Sequence, residues 1–206
     1  MPVDAVVFDI GNVLIEWQPE RHYDAVIGEA RRRAMFAAID LHAMNDVIDA
    51  GGPFRATIEA TAEVHPAWRA EVLRWYDDWL KMASPAIPRS VRLLRALRRR
   101  GVPVFALSNF GIDSFALARQ HYDFLSEFDR PYISGHLGVI KPDPAIYAMV
   151  EGDSGVAPGG LLFVDDRPDN IAAAAARGWQ THLFTTPEGW AARLVAEGLL
   201  TESEAQ

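Results

Sequence analysis

The segment Ala5-Val6-Val7-Phe8 is apolar at four consecutive positions and runs directly into Asp9. A strand with one wet face alternates polar and apolar residues. A run with no polar position must be covered on both sides, as in a parallel sheet packed between helices. Residues 102–107 (VPVFAL) and 161–164 (LLFV) repeat the pattern, and Pro103 is acceptable at a strand start. Residues 132–134 and 181–184 are weaker signals that suit short or edge strands. Helical patterns fill the intervals at 88–100, 112–124, 144–151, 168–177 and 188–197. In the first of these, Val91, Leu94 and Leu97 share a helical face and Gly101 supplies a C-terminal stop. This order predicts an α/β fold whose parallel strands are joined by right-handed crossovers.

Residues 15–85 interrupt the alternation. They hold several helical stretches, divided near Gly51-Gly52-Pro53, and no convincing buried strand. The last helix is expected to start near Pro66, with Trp68, Val72, Trp75 and Trp79 recurring at intervals of four, three and four along one face. Such an aromatic stripe ordinarily fills a helix interface, although it can also touch a ligand. The segment reads as a helical cap inserted after the first strand. The expected division is therefore a core of residues 1–14 and 86–206 with a cap of residues 15–85. The arginine runs 31–33 and 98–100 read as solvated helix faces.

A chain of 206 residues, half of them hydrophobic, can bury a substantial core. The formal charge of −8 disfavours nonspecific binding to nucleic acid. No apolar stretch reaches the roughly 20 residues that span a bilayer, and a core strand beginning after four residues leaves no room for a secretory signal. The expectation is a cytoplasmic protein, monomer or homodimer, without a membrane or nucleic-acid partner. The absence of cysteine excludes thiolate chemistry and disulfides.

Four polar positions follow the expected strands or lie in the loops beside them: Asp9, Ser108-Asn109, Lys141-Pro142 and Asp165-Asp166. The carboxyl ends of strands form the ligand crevice of an open parallel sheet, so residues far apart in sequence can converge there. Each group alone has a structural alternative, such as a helix cap for the aspartates, a turn for Ser108-Asn109 or an exposed loop lysine. Together they suit phosphoryl chemistry. A carboxylate can attack phosphorus, a divalent cation can bridge carboxylate and phosphate oxygens, and a lysine can balance the remaining charge. Several carboxylates without a His/Cys set favour Mg2+ over zinc.

These residues sit in four ordered motifs: Phe8-Asp9-Ile10-Gly11-Asn12-Val13-Leu14, Leu107-Ser108-Asn109, Lys141-Pro142-Asp143-Pro144 and Val164-Asp165-Asp166 followed by Gly178. In them the chain resembles the haloacid dehalogenase superfamily, a group dominated by phosphatases. The resemblance implies a Rossmann-like core, an α-helical cap after the first motif and a reaction through an aspartyl-phosphate. Asp9 then matches the nucleophile, and Asp9, the Gly11 carbonyl and Asp166 match the metal ligands. Ser108 and Lys141 match the groups that hold and stabilise the transferred phosphoryl group. Asn109 is placed to position substrate, while Asp165 and Asn170 have orienting or secondary metal roles.

Gly11 departs from the pattern. Many phosphatases of this superfamily carry Asp-x-Asp, whose second acid protonates the leaving group, a contribution of roughly 10²–10⁴-fold. Glycine supplies no such group, and Glu16, His22 and other cap acids are candidate replacements. The Asp-x-Gly-Asn-Val form also resembles some sugar-phosphate phosphatases. The leading expectation is a magnesium-dependent phosphatase for a small phosphorylated metabolite such as a sugar phosphate. The alternatives are a 2-haloacid dehalogenase using Asp9 to displace halide, and a weakly active or noncatalytic binding protein.

Overall fold

The computed structural model describes residues 2–206. At its centre lies β1 (Ala5–Phe8), every residue of which is fully buried. The chain then forms a short strand β2 (Ile15–Trp17) and six helices. These are α1 (Pro19–Ile27), α2 (Glu29–Ala38), α3 (Leu41–Asp49), α4 (Phe54–Val64), α5 (Arg69–Asp77) and α6 (Trp79–Met82). Strand β3 (Ala83–Ala86) returns antiparallel to β2. Next come α7 (Pro88–Arg99), β4 (Val104–Ser108), α8 (Ile112–His121) and β5 (Arg130–Ile133). The chain continues through α9 (Ser134–Leu137), α10 (Pro144–Ser154), β6 (Leu161–Asp165), α11 (Pro168–Ala176), β7 (Gln180–Leu183) and α12 (Pro187–Ala196).

Five strands make one parallel sheet in the order β5-β4-β1-β6-β7. Alternate residues of β1 face opposite layers. Val6 and Phe8 join a core with Leu94, Leu97 and Trp190, whereas Ala5 and Val7 join one with Ile146, Tyr147 and Val150. That two-sided cover accounts for the unbroken apolar run, and the α/β expectation holds. The chain fills the sheet outward from β1 to β5, then resumes on the other side of β1 with β6. This reversal opens a crevice at the carboxyl end of β1, next to Asp9.

The inserted helical cap is present, with two differences from its sequence pattern. The β2–β3 ribbon sits at its base, pairing Ile15 with Ala86 and Trp17 with Ala83. Each strand is too short to show a period, and the pairing spans the whole insertion. The tryptophan-bearing segment is also broken. A 3₁₀ turn at Pro66–Trp68 precedes α5, and the helix stops at Asp78 before α6. The Asp78 carboxylate there accepts hydrogen bonds from His22, Arg74 and Lys81. Val72 and Trp75 still pack inward, and the Trp75 indole N–H donates to Asn45 Oδ1 at 3.1 Å. Beyond the break, Trp79 stacks at 5.3 Å from Phe110 on the core and at 5.8 Å from Trp17. The stripe therefore serves packing over most of its length and reaches the cavity at Trp79. Among the described residues, no helix is long and apolar enough to cross a membrane.

Cap and core touch closely where α3 ends. The Ser134 hydroxyl donates to the Asp49 carbonyl at 2.6 Å and accepts from the Phe110 N–H at 2.8 Å. A Cβ on Gly135 would lie 2.8 Å from both Ile112 N and Phe110 O, and a Cβ on Gly51 would lie 2.8 Å from Gly135 O. Backbone meets backbone here, so any side chain forces the segments apart. Gly135→Ala is expected to destabilise the protein by about 1–3 kcal/mol, read as a lower midpoint in urea denaturation.

Candidate active site

The carboxyl ends of the central strands deliver the expected groups to one place. Asp9 follows β1, Ser108 closes β4 and Asp165 closes β6. A cavity of about 450 Å³ opens above them. Its walls include Asp9, Gly11, Ser108, Asn109, Lys141, Asp166 and Asn170 from the core, with Trp79 and the end of α3 from the cap.

Lys141 is the hub. Its ammonium donates to Asp9 Oδ1 at 2.9 Å and to Asp165 Oδ2 at 2.6 Å, and all three side chains are buried. The lysine backbone is fixed independently. Asn109 Nδ2 donates to the Lys141 carbonyl at 2.9 Å, and Asn109 Oδ1 accepts from the Lys141 N–H at 2.7 Å. Asn109 thus clamps the lysine loop to the end of β4 while also lining the cavity. Asp165 is anchored from the other side, accepting from Asn170 Nδ2 at 3.0 Å and from the Arg167 N–H at 2.8 Å. The Ser108 hydroxyl has no protein hydrogen-bond partner among the described residues, so it can bond to a ligand.

Asp166 is half-exposed and differently held. Its Oδ2 accepts from Asn12 Nδ2 at 3.0 Å, and Asn12 Oδ1 in turn accepts from the Trp17 N–H at 2.9 Å. Asn12 adopts a left-handed backbone with φ of 54°, which asparagine tolerates better than most residues. It ties the turn after β1 to the turn after β6. This role of Asn12 escaped the sequence reading, although its place directly after Gly11 was a usable signal. Of the proposed replacement acids, Glu16 lines the cavity but pairs with Arg21 at 2.8 Å. His22 lies off the cavity, bonded to Asp78 at 3.1 Å. Asp49, the last residue of α3, lies on the wall and had not been singled out.

The electrostatics follow from crowding. Burial pushes the Asp9 carboxyl up to about 7. Lys141 opposes that rise, and the charges of Asp165 and Asp166 add to it. Burial alone would draw Lys141 down, but Asp9 and Asp165 together hold it above the usual lysine range. One ammonium shared by two carboxylates stays charged, while each acid receives only part of its field. Burial also raises Asp166.

Asp9, Asp165 and Asp166 can each offer one carboxylate oxygen with these atoms within 4.8 Å of one another. Nearby, Asn170 Oδ1 is buried without a partner. Three carboxylates facing one ammonium leave an excess of negative charge, and an all-oxygen donor set suits a hard divalent cation such as magnesium. The residues fit that ion.

The sequence model of the haloacid dehalogenase-like hydrolases matches residues 3–178. The chain belongs to this family. A phosphoserine phosphatase from Thermus thermophilus is 29% identical over 152 residues, covering 72% of this chain and 61% of its own. A sesquiterpene phosphatase from Aspergillus oryzae is 34% identical over 91 residues, or 44% of this chain. The chain spans about half or less of the length of several such relatives: 46% of that phosphatase, 46% of an enolase-phosphatase from Lachancea thermotolerans and 15% of a drimenol cyclase from Aspergillus calidoustus. Among solved structures, a family enzyme from Bacteroides thetaiotaomicron in complex with magnesium and inorganic phosphate gives a TM-score of 0.58 at 20% identity, covering 89% of this chain and 95% of that one. L-2-haloacid dehalogenase from Xanthobacter autotrophicus, with chloropropionic acid covalently bound, gives 0.64 at 21% identity, covering 98% and 86%. At such identities the likeness is one of fold.

The raised Asp9 carboxyl carries a stability consequence for the metal-free protein. Its folded pKa of about 7 lies above the unfolded value near 4. Its contribution is therefore fully present below about pH 4 and lost as pH rises through 7. Asn imitates the neutral carboxyl at every pH. In chelator, Asp9→Asn is expected to melt above the parent at pH 8, with the difference shrinking toward pH 4.5.

Proposed function

We propose that this chain is a magnesium-dependent phosphatase that hydrolyses a small phosphorylated metabolite through an aspartyl-phosphate on Asp9. The observation that carries the reading is the Asp9–Lys141–Asp165 bridge beside Asp166 at the mouth of one cavity. A nucleophile, a fixed cation and an oxygen-rich metal set converge there. Asp9 Oδ1 is engaged by Lys141, which leaves Oδ2 to attack phosphorus in line. The bond from phosphorus to the alcohol oxygen breaks, and water then attacks the aspartyl-phosphate and regenerates Asp9. Lys141 keeps its charge throughout and offsets the negative charge that grows on the transferred group. The unpartnered Ser108 hydroxyl donates to one of that group's oxygens. Asp9, the Gly11 carbonyl and Asp166 would hold magnesium, with Asp165 and Asn170 behind them. When bound, the ion supplies positive charge against the phosphoryl oxygens.

The rest of the cavity lining favours a sugar phosphate. Trp17, Trp79 and Phe110 offer flat apolar faces, while Glu16, Asn45 and Asp46 offer oxygen acceptors for hydroxyl groups. Lys141 and Arg167 are the cationic side chains lining the cavity among the described residues, so a polyhydroxy leaving group suits it better than a second anion. We further propose that residues 15–85 act as the cap that closes this cavity and excludes bulk water. The metal set favours this reading over halide displacement by Asp9, which needs no metal.

Phosphate release from a panel of sugar phosphates is expected to require magnesium and to stop on chelation. Asp9→Asn is expected to reduce it to background, and full activity in that variant would rule out the nucleophile. Halide release from 2-chloropropionate without magnesium would instead favour the dehalogenase.

A further inference from the structure

Among the described residues, the titratable core side chains on the cavity, Asp9, Lys141, Asp166 and Arg167, are taken up in attack, charge balance and metal binding or are permanently charged, which leaves none to protonate the departing alcohol. A Cβ built on Gly11 would meet Asp9 Oδ2 and Trp17 Cβ only at 4.0 Å, so the space beside the nucleophile is open. A donor has to come from another wall of the cavity. Glu16 is held by Arg21 at 2.8 Å, His42 is bonded to Glu20 at 3.2 Å, and Asp46 is exposed. Asp49 differs from all three. It lines the cavity at only 8% exposure. Its Oδ2 accepts from Asn45 Nδ2 at 2.8 Å and the Gly111 N–H also faces its carboxyl, but no basic side chain pairs with it among the described residues. Its backbone is bolted to the core by the Ser134 hydroxyl at 2.6 Å, so the carboxyl is held in place although it belongs to the cap.

We propose that Asp49 is the general acid and base of the reaction, acting across the cavity from Asp9. The inference rests on the phosphatase reading above. As Asp9 Oδ2 bonds to phosphorus, the ester bond breaks and its electron pair goes to the alcohol oxygen. That oxygen takes the Asp49 proton and leaves as a neutral alcohol. The Asp49 carboxylate then takes a proton from water as the water oxygen bonds to phosphorus. The Asp9–phosphorus bond breaks, inorganic phosphate departs and both aspartates return to their starting states. Burial, reinforced by the charges of Asp46 and Asp9, pushes the Asp49 carboxyl up to about 7 despite Gly111 N–H and Lys141. A group poised there can both give and take a proton near neutrality.

A proton donor matters most when the leaving group is basic. The test compares glycerol 2-phosphate, whose alkoxide leaves poorly, with p-nitrophenyl phosphate, whose phenolate leaves unprotonated, both with magnesium. Asp49→Asn retains an acceptor for Asn45. It is expected to lower kcat/KM for glycerol 2-phosphate by about 10²–10⁴-fold while changing that for p-nitrophenyl phosphate by less than about tenfold. An equal loss on both substrates, or no loss on the alkyl ester, overturns the assignment. Asp49→Ser, small and non-titrating, carries the same comparison if the Asn variant melts early. A parent enzyme that releases phosphate with magnesium from neither these esters nor the sugar-phosphate panel overturns the phosphatase reading itself, and this proposal with it.

Discussion

The site depends on one buried ammonium. Lys141 stands between Asp9 and Asp165, two carboxylates that would otherwise face each other in a poorly solvated pocket. An unpaired charge in such surroundings is costly, and breaking a buried pair typically costs about 3–5 kcal/mol. The lysine backbone and Asp165 are in turn held from outside. Asn109 fixes its backbone, while Asn170 and the Arg167 N–H fix Asp165. Two strand ends thereby meet at a single cation, and Asn109 ties the lysine loop to a third. The same arrangement leaves Asp9 incompletely neutralised, because the field of the lysine is divided. A site in that state has capacity for more positive charge.

A second constraint lies where cap meets core. Gly51 and Gly135 let two backbones approach without side chains between them, and Ser134 locks the end of α3 at that point. The consequence is chemical as well as mechanical, since this contact holds Asp49 on the cavity wall. Trp79 enters the same wall just past the helix break at Asp78. The cap thus contributes both shape and a titratable group to a cavity whose floor belongs to the core.

The sheet was legible because burial on both faces leaves a direct mark. The apolar runs at 5–8, 104–108 and 161–165 have no polar position to spare until the strand ends. The helices that cover them carry their own period, as Val91, Leu94 and Leu97 do. The groups at the strand ends were legible for a related reason: a charged residue directly after such a run stands at the lip of the sheet. The β2–β3 ribbon was hidden, since three or four residues cannot show a period and their partner lies across the whole cap. Asn12 was overlooked because its role is a hydrogen bond to a residue 154 positions away.

The sequence by itself determined the layered α/β core, the inserted helices and the set of carboxylates, serine and lysine at the strand ends. It also determined that position 11 has no side chain, and so that no acid stands two residues after Asp9. Local pattern suffices for these, because burial and backbone preference act residue by residue. Only the tertiary structure decided which carboxylates share the lysine, that Asn109 holds the lysine loop with its amide, and that Asp49 lines the cavity without a basic partner while Glu16 pairs with Arg21 and His22 lies off the cavity. Those outcomes depend on distances between segments far apart in the chain, and on which neighbouring cation reaches each acid first.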